Sequence, residues 1–462
     1  MSDIRYICLS DTHFGARSSL LTQLNRRGDG LAADNPLLDA LVACLREVVG
    51  RVHTGQRLPT LVLNGDILEL ALAETHLALM AFEQFLQKAF PRGKPLFEQI
   101  VYVPGNHDHH LWEAAREEQY SRHVAHVPAG EPLDEPWHTT KLLTQPGERP
   151  VQQVLSACAG RLGTLGPAAT IHAAYPNFGV RAGDRWVVFH HGHYVEPIYS
   201  LMSTITRVLF PEAGPVESVY QLEKENFAWI DFLWSALGQS GAAGSGMAYV
   251  YESRGDAKKL RKLLRNLAKV LVREYIDTGL PDWAEQGALE WIFSLMADQL
   301  AKLERSRSGA VLSKDATAGL KAYVEKLLRR QFEAEGAKPP ARLGFVFGHT
   351  HKPFARKLEF EGFAGPCPVY NTGGWVVDAP EPAPQRGAAI ALLDADLNVV
   401  NLKLYSEGCT IASVEQAATT DASKLYEELA KCVADDTPPW STFAEAAKKE
   451  LAARMRRCKA QA

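Results

Sequence analysis

The chain has 462 residues, enough for more than one domain or for one domain carrying a large insertion. Its composition, 46% hydrophobic and 23% charged, is that of an ordinary soluble protein. A formal net charge of −4 gives no global basic footprint and argues against a protein whose main business is coating nucleic acid.

Seven cysteines, an odd number, are scattered from Cys8 to Cys458 without a Cys-x-x-Cys pair, which reads as reduced thiols in a cytosolic protein. No apolar run reaches the length of a transmembrane helix. No signal peptide fits, because a strand begins near Ile4 and a motif follows at once. The expected location is cytoplasmic, with peripheral membrane contact left open.

Along the N-terminal third, apolar runs alternate with helical patterns, and each run ends in a motif. Tyr6–Leu9 predicts a strand ending at Asp11-Thr12-His13. Leu37, Leu38, Leu41, Val42, Leu45, Val48 and Val49 share one face of a helix over 36–52. Leu61–Leu63 ends at Gly65-Asp66-Ile67-Leu68-Glu69, a helical stretch covers 72–89, and Ile100–Val103 ends at Gly105-Asn106-His107-Asp108. This βαβαβ order predicts a parallel sheet with polar groups gathered at the carboxyl ends of its strands.

Residues 133–150 read as loop. Trp186–Phe189 is a strand running into His191-Gly192-His193. A mostly helical section fills about 196–338, opening with an apolar face of Ile198, Leu201, Met202, Ile205, Val208 and Leu209 and an aromatic stretch from Phe227 to Trp234. Within it, Gln239–Gly246 reads as a mobile loop, and 254–273 holds eight basic residues against one acidic. The bland reading is a helical subdomain with a solvated basic face. The sharper readings are an amphipathic lid for anionic membrane or a lipid-linked phosphate, and a dimerisation element. Gly344–Phe347 then ends at Gly348-His349-Thr350-His351, strands follow over 355–405, and helical patterns near 421–433 and 441–457 close the chain.

Five motifs in this order supply the carboxylates, imidazoles and one amide oxygen needed to hold two divalent metal ions side by side, the usual device for phosphoester hydrolysis. Over residues 4–113, 181–196 and 341–378 the chain resembles the calcineurin-like metallophosphoesterase superfamily. The resemblance implies an α/β fold, a four-layer αββα sandwich with a large, mostly helical insertion. It implies a core of 1–195 and 341–410, an insertion or lid of 196–340, and C-terminal helices of 411–462.

It also implies a ligand set. Asp11, His13, Asp66 and His351 hold one ion; Asp66, Asn106, His191 and His349 hold the other. Imidazole and carboxylate donors suit manganese, iron, zinc, nickel or cobalt and do not select sharply among them; manganese is the first expectation. His107 is the candidate general acid, Glu69 a candidate to orient it, and His193 a residue that faces substrate. His190 points the other way, and His109 and His110 enter a helix.

Within the superfamily, phosphoprotein phosphatases have Asp-Arg-Gly where this chain has Glu69-Leu70-Ala71, and purple acid phosphatases place a Tyr at Glu69. Gly-Asp-Ile-Leu-Glu and His-Gly-His are similar to the UDP-2,3-diacylglucosamine hydrolases, which carry Arg where this chain has His107. Asn371–Gly374 resembles the Asn-Pro-Gly-Ser turn of small phosphodiesterases. The expected substrate is a small or lipid-linked phosphoester. A nuclease or cyclic-nucleotide phosphodiesterase is the alternative. A scaffold that has lost catalysis, like the retromer subunit of this superfamily, predicts eroded ligands, and none is eroded here.

Overall fold

The computed structural model describes residues 2–23, 34–144, 148–236, 303–306, 309–417, 422–433 and 437–461. The expected loop at 239–246 and the basic segment 254–273 lie outside the described residues.

Strand by strand, side chains alternate between two apolar environments, as a period of two requires. In β1 (Ile4–Leu9), β2 (Thr60–Asn64) and β3 (Gln99–Val103), one face buries Ile7, Leu9, Leu61, Leu63, Ile100 and Tyr102 under helices. The opposite face sends Cys8, Val62, Val101 and Val103 into a second core. That second core is completed by Val187 and Phe189 of β6 (Arg185–His190) and Val346 of β7 (Arg342–Phe347). The far sides of those strands, through Trp186, Val188, Phe345 and Phe347, pack against the other helices. Three cores between four layers make an αββα sandwich.

The first sheet has the order β12-β11-β10-β1-β2-β3-β4, the second β5-β6-β7-β9-β8. β1, β2, β3 and β4 (His172–Ala173) are parallel, as the βαβαβ reading predicts. The late strands β10 (Gly387–Asp394), β11 (Val399–Ser406) and β12 (Ser413–Glu415) add antiparallel, so the sheet as a whole is mixed. In the second sheet β6, β7 and β9 (Cys367–Asn371) are parallel, while β5 (Asn177–Ala182) and β8 (Phe354–Leu358) pair antiparallel.

Helix α1 (Pro36–Val52) buries the predicted face; the Asn35 side chain caps it by accepting from the Leu37 and Leu38 amides. Helix α2 (Thr75–Ala89) starts three residues later than its pattern suggests, because the Glu69 carboxylate accepts the Ala71 and Leu72 amides and holds that stretch in a turn. Several elements are not legible in the sequence: the short β4 and β12, β5, helix α4 (Gln153–Gly160), and the full length of α3 (His109–His126), whose polar composition hides its period. The C-terminal helices Lys424–Val433 and Trp440–Gln461 pack on α1.

The first helix of the insertion is shorter than its apolar spacing predicts. Pro197–Ser200 is a tight 3-10 turn, and α5 runs Leu201–Leu209. Ile198 and Leu201 are buried, but Val208 and Leu209 are exposed, together with Phe210. Helix α6 (Val219–Ile230) follows. No helix of the described residues is long and apolar enough to cross a membrane.

Candidate metal centre

All five motifs sit at carboxyl ends of parallel strands, on the same edge of the two facing sheets. Backbone hydrogen bonds knit them together: Asp11 N donates to Gly65 O, His13 N to Asp66 O and Gly348 N to His191 O. The chain must turn sharply inward here. Six non-glycine residues among those described have positive φ, and five are Asp11, His13, Asp66, His349 and His351. Such strained backbone is uncommon and concentrates at functional sites. Gly65 is needed for the same reason: its φ is +83°, and a Cβ there would run into the His191 ring.

The side chains form two donor sets that share one atom. In the first, His13 Nε2 lies 3.4 Å from His351 Nε2, and His351 Nε2 lies 3.5 Å from Asp11 Oδ1. In the second, His191 Nε2 lies 3.1 Å from Asn106 Oδ1 and 3.2 Å from His349 Nδ1. Asp66 Oδ2 stands between them, 3.6 Å from His13 Nε2 and 3.4 Å from His191 Nε2. It is buried and accepts no hydrogen bond, whereas Asp66 Oδ1 is held by the His107 amide at 2.8 Å. A buried carboxylate oxygen left unsatisfied costs free energy unless a cation meets it. The donor atoms of Asp11, His13 and His351, and of Asp66, His191 and His349, are close enough for each set to hold a metal ion.

Each of the four imidazoles is anchored through its other nitrogen. His13 Nδ1 lies 3.0 Å from Glu69 Oε2, His351 Nδ1 2.6 Å from Asp378 Oδ2, His349 Nε2 2.6 Å from Glu196 Oε2, and His191 Nδ1 3.3 Å from the Asn64 carbonyl. Such partners put the proton on the outer nitrogen and aim the lone pair inward, as metal-ligating histidines require. Sequence reasoning does not pick out Glu196 or Asp378: Glu196 lies three residues past the His191-Gly192-His193 motif, Asp378 lies 27 residues past His351, and neither position carries a signal of its own.

Two further side chains hold the ligands. Asp108 accepts from the amides of Gly105, Asp66, Ile67 and Leu68, tying the second motif to the third. Burial pushes its carboxyl up to about 6, as does the charge of Asp66. Ser10 donates to Asp11 Oδ2.

Burial disfavours charge on Asp66, yet His191, His107 and His13 around it outweigh that and hold its carboxyl well below the usual range. Burial likewise opposes charge on His191, but Asp66 and Asp11 raise it to about 9; for His351, Asp378 and Asp11 do the same, to about 9. The carboxylates thus favour the protonated rings of His191 and His351, and a bound cation would replace those protons.

His107 also groups geometrically with His13 and Asp66. Both of its nitrogens are engaged elsewhere, however: Nδ1 lies 2.9 Å from Glu69 Oε1, and Nε2 accepts from Arg305 Nη1 across 3.3 Å. Glu69 therefore contacts two imidazoles, His13 as well as His107. His193 is buried, its ring 5.7 Å from that of His191 and 4.2 Å from that of Tyr194. His190 turns to the other side of the strand, against Tyr323 and Phe345. His109 and His110 open α3, and His110 lies 3.3 Å from Asp231.

The segment after His191 stands over the ligands. The Tyr199 ring is 5.1 Å from His349, the Trp234 ring is 6.4 Å from His107, and Ser235 Oγ donates to the Asn106 carbonyl at 2.8 Å.

No protein-family model matches the chain, and no curated protein matches it. Among solved structures it is similar to the phosphopantetheinyl hydrolase PptH from Mycobacterium tuberculosis, at 12% identity over 81% of this chain and 90% of that one, with a TM-score of 0.25.

Proposed function

We propose that this chain is a binuclear metal-dependent phosphoesterase that hydrolyses a phosphodiester, pyrophosphate or phosphomonoester. The observation that carries the reading is Asp66 Oδ2, buried, without a hydrogen bond, and shared by two complete donor sets. Asp11, His13, Asp66 and His351 would hold one ion, and Asp66, Asn106, His191 and His349 the other, with manganese as the first candidate. Such a pair supplies a nucleophile from water near neutral pH and neutralises charge on the phosphoryl oxygens.

The protein's own groups do the rest. Glu69, Asp378, Glu196 and the Asn64 carbonyl fix the ligand rings. His107, steadied by Glu69 and not required as a ligand, supports the reading of a general acid that hands its proton to the leaving oxygen. His193 is buried behind His191, which supports a role in seating that ring over direct contact with substrate.

The intact donor sets favour an enzyme over a scaffold. A small or lipid-linked substrate is the narrower reading. Exposed Val208, Leu209 and Phe210 at the end of α5 support peripheral membrane contact. The likeness to UDP-2,3-diacylglucosamine hydrolases rests on short motifs and is not supported by the comparisons.

The test is hydrolysis of bis-p-nitrophenyl phosphate by protein stripped of metal and reloaded with Mn²⁺, Zn²⁺, Fe²⁺, Ni²⁺ or Co²⁺. UDP-linked lipids, cyclic nucleotides and single-stranded DNA are run beside it. Two ions bound per chain with metal-dependent turnover supports the reading. One ion or none, with no turnover on any substrate, overturns it.

A further inference from the structure

Away from the metal centre, a second cavity gathers positive charge and no acid. It has a volume of about 380 Å³ and lies where β2 and β3 begin, whereas the metal ligands follow the strands' carboxyl ends. Register sets Tyr6, Thr60 and Gln99 in one row across β1, β2 and β3. Their positions alternate in step with Cys8, Val62 and Val101, so they share the face turned to the second sheet. Arg181 of β5 lines the cavity from that second sheet, and Thr144 and Arg149, in the segment leading into α4, line it as well. No Asp or Glu is among the described lining residues.

Arg149 is only 8% exposed. Burial pulls its guanidinium down to about 10, with the Tyr6 phenol opposing, so it stays charged at neutral pH. Nη2 donates to the Thr144 carbonyl, and the guanidinium lies 4.5 Å from the centroid of the Phe178 ring. Neither partner carries a charge. Nε is buried without a hydrogen bond, and Nη1 donates to no described group. Glu148, next to it in sequence, is exposed and makes no ion pair with it, and positions 145–147 are Gln-Pro-Gly, with no acid to offer.

An arginine buried this far is ordinarily paired, and an unmatched buried charge is costly. A buried donor left unsatisfied in a cavity wall points to something bound there. Arg181 brings a second guanidinium to the same space. Its Nε donates to the Gly183 carbonyl at 2.9 Å, its guanidinium lies 5.4 Å from the centroid of the Trp186 ring, and no described carboxylate pairs with it. Tyr6, Thr60 and Gln99 add neutral donors.

We propose that this cavity is a binding site for a small phosphate-bearing anion, held by Arg149 and Arg181 and oriented by Tyr6, Thr60 and Gln99. Two guanidinium forks suit a dianion with several acceptor oxygens better than a single carboxylate. The anion joins β1, β2 and β3 of one sheet to β5 of the other, so its binding stabilises their packing. The site shares no residue with the metal centre and stands independently of the phosphoesterase reading.

The probe is inorganic phosphate, titrated calorimetrically into the Mn²⁺-loaded full chain and into the variants Arg149→Gln and Arg181→Gln. Losing a charge-assisted hydrogen bond should weaken the cavity site about 10- to 100-fold in Arg149→Gln, and by a smaller factor in the exposed Arg181→Gln. Phosphate should raise the melting temperature of the parent protein more than that of Arg149→Gln. Metal content per chain and turnover of bis-p-nitrophenyl phosphate should match the parent in both variants. Phosphate bound at the metal ions keeps its affinity throughout, which separates the two sites.

Phosphate affinities identical in the parent and both variants overturn the proposal. So does a weakening accompanied by lost metal, which would place the effect at the metal centre. If Arg149→Gln does not fold, Arg181→Gln decides by itself, because an exposed side chain can be changed without disturbing the core. If the parent turns over no phosphoester, the phosphoesterase reading fails alone, and the phosphate titration still decides the cavity.

Discussion

Replacing Glu69 by glutamine removes one charge and keeps the shape, and the structure says which metal site should feel it. Glu69 Oε1 accepts the Ala71 amide at 3.1 Å, the Leu72 amide at 3.0 Å, and faces His107 Nδ1 at 2.9 Å. Glu69 Oε2 faces only His13 Nδ1, at 3.0 Å. Two backbone donors fix the amide carbonyl at the Oε1 position, so the –NH₂ falls opposite His13 Nδ1. Two donors cannot face each other. His13 must then carry its proton on Nε2, the nitrogen that points at Asp11, Asp66 and His351, and it can no longer ligate there. His107 keeps its acceptor.

Outer partners of metal-bound histidines are typically worth about 10–100-fold in metal affinity, or about 1.4–2.8 kcal/mol. That loss should fall on the ion of the Asp11–His13–His351 set alone. Calorimetric titration of stripped protein with Mn²⁺ measures this: two affinities in the parent protein, one weakened by that factor in Glu69→Gln and the other unchanged. Equal weakening of both, or of neither, refutes the tautomer argument.

Asp66→Asn should act on both ions, because the His107 amide fixes the carbonyl at Oδ1 and places the –NH₂ where the shared oxygen was; metal analysis should show both occupancies lost and turnover nearly abolished. His107→Ala should keep its metals and lose about 10²–10⁴-fold with an alkoxide leaving group, and much less with nitrophenolate; equal losses for both groups would remove it as the acid. Glu223 tests the fold independently of the metals. Burial pushes its carboxyl well above its ordinary 4.5, against the Tyr194 hydroxyl that donates to it. The folded protein therefore holds a proton that the unfolded chain gives up, and this contribution is present below about pH 4.5 and lost as pH rises, by up to about 1.4 kcal/mol per pH unit. Glu223→Gln should flatten the fall in melting temperature between pH 5 and 8 and stabilise the protein at the upper end; an unchanged slope counts against it.

The ligands were legible in the sequence because each lies within a few residues of the end of a predicted strand, and parallel strands deliver their carboxyl ends to one edge. Asp11, Asp66, Asn106, His191 and His349 follow from that rule, as do the face of α1 and the two closing helices. The groups that orient them were not legible. Asp378 reaches His351 across 27 positions, Glu196 reaches His349 across 153, and Arg305 reaches His107 across 198.

No local period marks such partners, since an isolated Glu or Arg in a helical stretch looks like any solvated residue until the chain is folded. The exposed end of α5 shows the same limit, for an apolar spacing says which residues share a face but not whether another element covers it. Antiparallel closure of the first sheet by β10–β12 is likewise a matter of pairing, decided by which edge of β1 the returning chain can reach. What the sequence determined by itself was the donor inventory, through short-range spacing. Tertiary contacts alone decided which nitrogen of each ring faces inward, which oxygen of Asp66 is shared, and which cation stands beside His107, because those depend on atoms far apart along the chain.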